Sequence, residues 1–280
     1  MVEKLEKVGL KQSELDPCLF IGKTVIVVIY VDVILMWSPK EDLIFELGNK
    51  LRKEGVELKE EDDAAGFLGV KLTKCKCGKL MMKQEGLTNQ IIEALGLETD
   101  ASTPRPTPCL KAPLVKDENG DPAGSSFSYP SVVGMLLYLS GHSRPDIAYA
   151  VSQVARFSFC PKRLHEQALK LIGRYLLKTR DKGLILDPSR DLNVDAYPDA
   201  DFAGLYGYED KLDPVCVKSR TGYVINVANC PVLWRSTLQV EISQSTMESE
   251  ICALATCTRD LLPIIDLVEE TVPAVGLDQS

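Results

Sequence analysis

Apolar and polar positions follow different rhythms along this chain, and each rhythm predicts a kind of element. Val25 to Ile29 and Val33 to Trp37 are almost wholly apolar and rich in β-branched residues, the mark of buried strands. Between them stand Tyr30, Val31 and Asp32, with no glycine or proline to ease a turn. A buried carboxylate is costly unless it is paired or ligates a metal. The pattern therefore predicts either a bend that exposes Asp32 or a cation beside it. Leu43, Leu47 and Leu51, four residues apart, predict a helix over 41–54 after Ser38-Pro39. Residues 66–72 and 79–84 flank Lys76-Cys77-Gly78 as a predicted hairpin, and 87–97 reads as helical. A proline-rich stretch, 102–126, interrupts this and reads as a linker or long loop. Three helices are predicted after it: 131–140, nearly all apolar; one opening at Pro145 with Ile147, Val151 and Val154 at helical spacing; and 164–178. The third has Leu164, Ala168, Leu171, Ile172 and Tyr175 on one side and Lys170, Arg174 and Lys178 on another. From Asp191 the rhythm turns to short strands, followed by a long helix over 246–270, the opening of an α/β domain.

Composition narrows the class. The chain has 280 residues, 45% hydrophobic and 26% charged, room for two modest domains or one large one and incompatible with a wholly disordered chain. The most apolar run, Thr24 to Trp37, is too short for a bilayer span and carries an acid, so no transmembrane segment and no membrane partner is expected. Nine scattered cysteines without a signal peptide read as reduced thiols of a cytoplasmic or nuclear protein. Cys75 and Cys77 have no second pair at zinc spacing and fit a plain hairpin. The net charge of −8 argues against nucleic acid, but its distribution does not. Residues 156–182 carry eight basic and two acidic side chains, whereas 183–280 carry six basic and sixteen acidic ones. A local basic patch binds phosphates even on an acidic chain.

Several segments, in order, resemble the Pol polyprotein of Ty1/copia-type LTR retrotransposons. "LDPCLF" and "VIVVIYVDVILMWS" resemble the Asp-Pro-Cys-Leu-Phe segment and Tyr-Val-Asp-Asp hairpin of the reverse-transcriptase palm; "GFLGVKL" is similar to its primer-grip segment. "YPSVVGMLLYLSGHSRPDIAYAVSQVARF" and "HEQALKLIGRYLLKTRDKGL" resemble the blocks that follow the palm, and "YPDADFAG", "SRTGYV", "WRS" and "STMESEICAL" its RNase H segment. The implied fold class is α+β and α/β, multi-domain. It comprises a palm remnant (1–101), a proline-rich linker (102–127), a helical thumb/connection region (128–183) and the N-terminal part of an RNase H-like α/β domain (184–280).

The resemblance also implies chemistry. In the family the Tyr-x-Asp-Asp turn presents carboxylates to two Mg²⁺ ions that clamp the attacking and leaving oxygens. Asp32 matches the first acid, but Val33 stands at the second, and a further metal-binding Asp is expected upstream of this chain. In the RNase H segment Asp199 matches the first carboxylate and Glu250 the second; the third is expected downstream. Asp201 shares a strand face with Asp199, and Glu248 lies about 200° from Glu250 around a helix, so choosing within each pair rests on the resemblance. Asp32, Asp199 and Glu250 are thus expected to be vestigial catalytic and Mg²⁺ ligands in incomplete sites that hold the metal weakly. Implied partners are RNA–DNA hybrid or primer–template and the rest of a Pol polyprotein. Lys162, Arg163, Lys170, Arg174 and Lys178 form a stripe suited to phosphates. The competing reading is a non-catalytic nucleic-acid-binding protein that uses this helix. His165 is expected to pack or cap, and Trp234 to be core.

Overall fold

The computed structural model describes residues 1–59, 69–75, 77–98, 103–189 and 191–275. Contacts concentrate in two units, Met1–Phe67 with Thr258–Ser280, and Leu68–Cys257.

In the first unit, a short helix α1 (Val2–Lys7) leads into a four-stranded antiparallel meander: β1 (Lys11–Gln12), β2 (Leu19–Ile21), β3 (Ile26–Tyr30) and β4 (Val33–Trp37). Helix α2 (Glu41–Lys53) follows. Its leucine spacing works as predicted: Leu47 and Leu51 are buried beside Leu5, Phe20, Val25 and Val27, and Leu43 packs at the edge. Tyr30 pairs with Val33 across the β3–β4 register, leaving Val31 and Asp32 as a two-residue turn. Val31 has φ 55°, the positive value that mirror-image hairpin turns need at their first position and that a β-branched side chain resists.

The second unit has a helical core and two small sheets. Hairpin β5 (Lys71–Lys74) and β6 (Leu80–Lys83) flanks Cys77-Gly78; Gly66 to Leu68 of the predicted strand and Lys76 of its turn lie outside the described residues. Helix α3 (Glu85–Ala94) packs against α4 (Tyr129–His142) and α6 (Arg163–Lys178), with α5 (Ala148–Ala155) between the last two in sequence. Ile91, Ile92, Leu136, Leu139, Ile147, Val151, Leu169, Ile172 and Leu176 make one fully buried cluster. A Cβ on Gly173 would come 2.5 Å from Leu95 Cδ1 and 2.6 Å from Leu97 Cδ1, so glycine lets the end of α3 lie on α6.

Three predicted boundaries shift. Residues 184–186 form a strand, β7 (Leu184–Leu186), that pairs antiparallel with β6 and so joins the 71–83 hairpin rather than the strands after it. Residues 69–98 fold with the helices, not with the first unit. The proline-rich stretch has almost no secondary structure, yet it is no spacer. Arg156 Nη1 and His165 Nε2 hold its carbonyls at Leu114 and Val115, and Ala123 and Asp121 bond Pro161 and Arg163. Composition shows that such a stretch makes no helix or strand; the donors Arg156, just past α5, and His165 of α6 decide where it lies.

The last sheet is the meander β8 (Val194–Asp201), β9 (Arg220–Val227) and β10 (Cys230–Leu238), with β9 central. On one face Trp234 Nε1 donates to the Ser140 carbonyl of α4 (2.7 Å) and Arg220 Nη1 to Ser152 Oγ of α5 (2.8 Å). Helix α7 (Thr246–Thr271) approaches through Gln239, whose Nε2 donates to Thr221 Oγ1 and to the Ser249 carbonyl. Half-buried Trp234 thus has a partner of its own. The far end of α7 belongs to the first unit, where Glu270 accepts bonds from Ser13 Oγ (2.6 Å) and Glu14 N–H (3.0 Å).

Candidate metal and nucleic-acid sites

Asp32 stands at the tip of the β3–β4 hairpin, exposed, beside Val31, which is 85% exposed. Of the two possibilities the apolar run allowed, the chain takes the bend. The neighbouring position that would double the charge is Val33, itself exposed.

Asp199 and Asp201 both point from the exposed face of β8, as the alternation of strand residues requires. The structure separates them where the sequence did not. Asp201 lies opposite Arg220 and folds its carboxylate so tightly over Gly204 that no Cβ would fit there. Asp199 lies opposite Gly222, which offers no side chain to occupy it. A similar separation holds on α7. Glu248 accepts from the Gln244 N–H (2.6 Å) and donates its own N–H to Ser245 Oγ (3.2 Å), tying off the first turn of the helix. Ser249, Ala253 and Cys257 form the buried side, and Glu250 is exposed next to it.

The sheet reaches α7 through Thr221, and strand alternation puts Thr221 on the face opposite Gly222 and its partner Asp199. Asp32 belongs to the other unit. Among the described residues, no group of three or more His, Cys, Asp or Glu side chains gathers at metal-binding distance.

The five basic residues do share the start and body of α6, but not one environment. Lys162 Nζ donates to the carbonyls of Glu118 (3.3 Å) and Gly120 (3.1 Å). Lys170 pairs with Glu166 at 2.6 Å and lies over the Phe127 ring. The Lys170 bond foremost, with a bond from the Gly124 N–H, holds the Glu166 carboxyl below its usual range. Arg174 is half-buried, its Nε enclosed without a partner. Arg163 and Lys178 are exposed; fifteen residues apart on a helix, they are separated by about 22 Å.

His165 is wholly buried. Its Nδ1 accepts from the Lys162 N–H (2.9 Å), its Nε2 bonds the Val115 carbonyl (2.7 Å), and its ring stacks on Phe157 at 3.8 Å. It caps α6 and anchors the proline-rich strap at once. Burial pushes its pKa down, consistent with the neutral ring that this donor–acceptor pattern needs.

Sequence reasoning missed a second polar cluster. Arg144, 3% exposed, makes paired bonds of 2.9 Å to Asp146 and reaches the Thr179 carbonyl and hydroxyl. Tyr175 donates to the same Asp146 carboxylate at 2.7 Å. Burial alone would raise the Asp146 pKa, but the bonds from Arg144 and Tyr175 outweigh it and hold the carboxyl low. The signal available was Arg-Pro-Asp at a helix start, with Tyr175 and Thr179 four residues apart at a helix end.

Comparison with known proteins fits this architecture into a lineage. No protein-family model and no solved structure matches the chain. It is 30% identical over 267 residues to the retrovirus-related Pol polyprotein from transposon RE1 of Arabidopsis thaliana, covering 94% of this chain and 17% of that one. It is 31% identical over 278 residues to the Pol polyprotein from transposon TNT 1-94 of Nicotiana tabacum, covering 94% of this chain and 20% of that one. The chain belongs to the copia-type retrotransposon Pol family. It spans about a fifth of the length of these Pol relatives, consistent with being part of a larger polyprotein. A shorter relative, secreted RxLR effector protein 161 of Plasmopara viticola, is 35% identical over 47% of this chain and 87% of its own length. Among the described residues, no helix of this Pol segment is long and apolar enough to cross a membrane.

Proposed function

We propose that this chain is the reverse-transcriptase and ribonuclease H part of a copia-type Pol polyprotein, with primer–template and RNA–DNA hybrid as its substrate class. One observation carries this reading. A Tyr-Val-Asp hairpin is followed, after a helical region, by a three-stranded antiparallel meander and a helix, with an exposed acid on the first strand and another in the helix's first turns. In this reading 1–59 is palm, α4 to α6 are thumb and connection, and β8 to α7 open the RNase H domain. The ancestral activities are RNA-directed DNA synthesis and hydrolysis of the RNA strand of a hybrid.

This chain by itself is catalytically inactive in the same reading. Two-metal catalysis needs several carboxylates converging on ions about 3.5–4 Å apart. Asp32 is followed by Val33, and Asp199 shares a sheet face with Gly222, opposite the Thr221 face that Gln239 links to α7, the helix of Glu250. These residues do not fit a two-Mg²⁺ centre.

Incubation of the purified chain with Mg²⁺, labelled hybrid and a primed RNA template with nucleotides tests this. Neither cleavage nor extension above background is expected. Hybrid cleavage that vanishes in Asp199→Ala or Glu250→Ala would overturn the inactivity while upholding the ancestry.

A further inference from the structure

The proline-rich strap is pinned near both ends of its passage over α6: the Arg105 N–H bonds the Arg174 carbonyl, and Leu114 and Val115 are held by Arg156 and His165. Between those pins it arches. Under the arch lies a cavity of about 320 Å³, roofed by Pro108 to Leu110 and Ala112 to Val115 and floored by α5 and α6. This is the size range of small-molecule sites, and the cavity is open to solvent on one side. No Asp, Glu, Lys, Arg or His lines it. Ala150, Val154, Leu164 and Ala168 form much of the floor, and Gln153 supplies a buried amide. Tyr149, Tyr208 and Leu110 line it while remaining exposed, so it opens to solvent beside them.

We propose that this cavity is a binding site for a small, uncharged, largely apolar organic molecule. A charged ligand would lose its hydration with no counter-ion in the walls. A peptide would bury amide groups against a lining that offers it one amide and two phenols. An apolar molecule of fitting volume loses nothing comparable and restores the packing that the arch gives up. Cys109 is in the roof, and burial holds its thiol pKa up, so its alkylation reports whether the cavity is filled.

The probe is N-phenyl-1-naphthylamine, uncharged and fluorescent in apolar surroundings, titrated into the full chain. We expect saturable enhancement at one probe per chain. Alkylation of Cys109 by N-ethylmaleimide, followed by peptide mass spectrometry, should slow at least about tenfold at saturation, the reduction expected when about nine-tenths of sites are shielded. The rate at exposed Cys160 should not change. Ala168→Phe, which fills the floor, should weaken probe binding at least about tenfold, since overpacking competes directly with the ligand. The proposal fails if enhancement does not saturate, if Cys109 is not protected, if Cys160 slows equally, or if a folded Ala168→Phe variant binds as well as the parent. Cys109 protection needs no substitution, so a variant that does not fold leaves the test intact.

Discussion

Val31 shows how much a single backbone angle constrains. A two-residue turn between β3 and β4 requires positive φ at its first position, and a valine there pays about 1–3 kcal/mol. Asparagine accepts that conformation more readily. Val31→Asn should therefore stabilise the chain by about 1 kcal/mol, read as a higher urea midpoint at unchanged slope. The sequence showed an acid trapped in an apolar run with no glycine beside it; it could not show that Val31 is the residue that takes the positive φ. Asp146 is the second informative residue. Its carboxyl is held low in the folded chain, so its contribution to stability is present above the ordinary carboxylate pKa and lost as pH falls through the lower native value. Asp146→Asn should cost about 2 kcal/mol at pH 7, with the partial exposure of Asp146 keeping the loss moderate. It should also flatten the acid limb of a stability–pH profile measured by thermal unfolding. A variant as stable as the parent at pH 7 would show that the Arg144 network adds nothing.

Among elements, α6 does the most. Its apolar side was readable from spacing, and Leu169, Ile172 and Leu176 are fully buried as that spacing requires. Its polar side was readable only as a list of charges. The structure uses Lys162 to hold the strap and Lys170 to hold Glu166, roles set by groups 4 to 44 residues away. At Gly173, helix propensity and packing disagree. Alanine should gain about 1 kcal/mol by propensity, yet its methyl would overlap two buried leucines, and such overpacking costs about 1–3 kcal/mol. Packing wins because Leu95 and Leu97 are only 5% exposed and have little room to move. Gly173→Ala should lower stability by about 1 kcal/mol, measured by denaturant melts; a gain would mean that the end of α3 yields freely.

Across the whole molecule, charge decides how nucleic acid would be met. With a net charge of −8, binding has to be local, and on α6 the exposed cations are Arg163 and Lys178. If this face meets phosphates, the joint Arg163→Ala and Lys178→Ala variant should reduce the slope of log affinity against log salt by about 2. Lys170→Ala should leave the slope nearly unchanged, because Glu166 already neutralises that charge. Filter binding of RNA–DNA hybrid over a series of KCl concentrations reads both, and equal slopes in all three proteins would remove α6 from the interface. The sequence by itself determined the family and the order of most strands and helices from Ile26 onward, because periodicity and motif spacing are local properties of a chain. Only the tertiary structure decided that β7 joins the 71–83 hairpin and that 105–115 is a strap over a cavity. Those outcomes depend on which distant donors, acceptors and methyl groups arrive within a few ångströms, and no spacing along the chain encodes that distance.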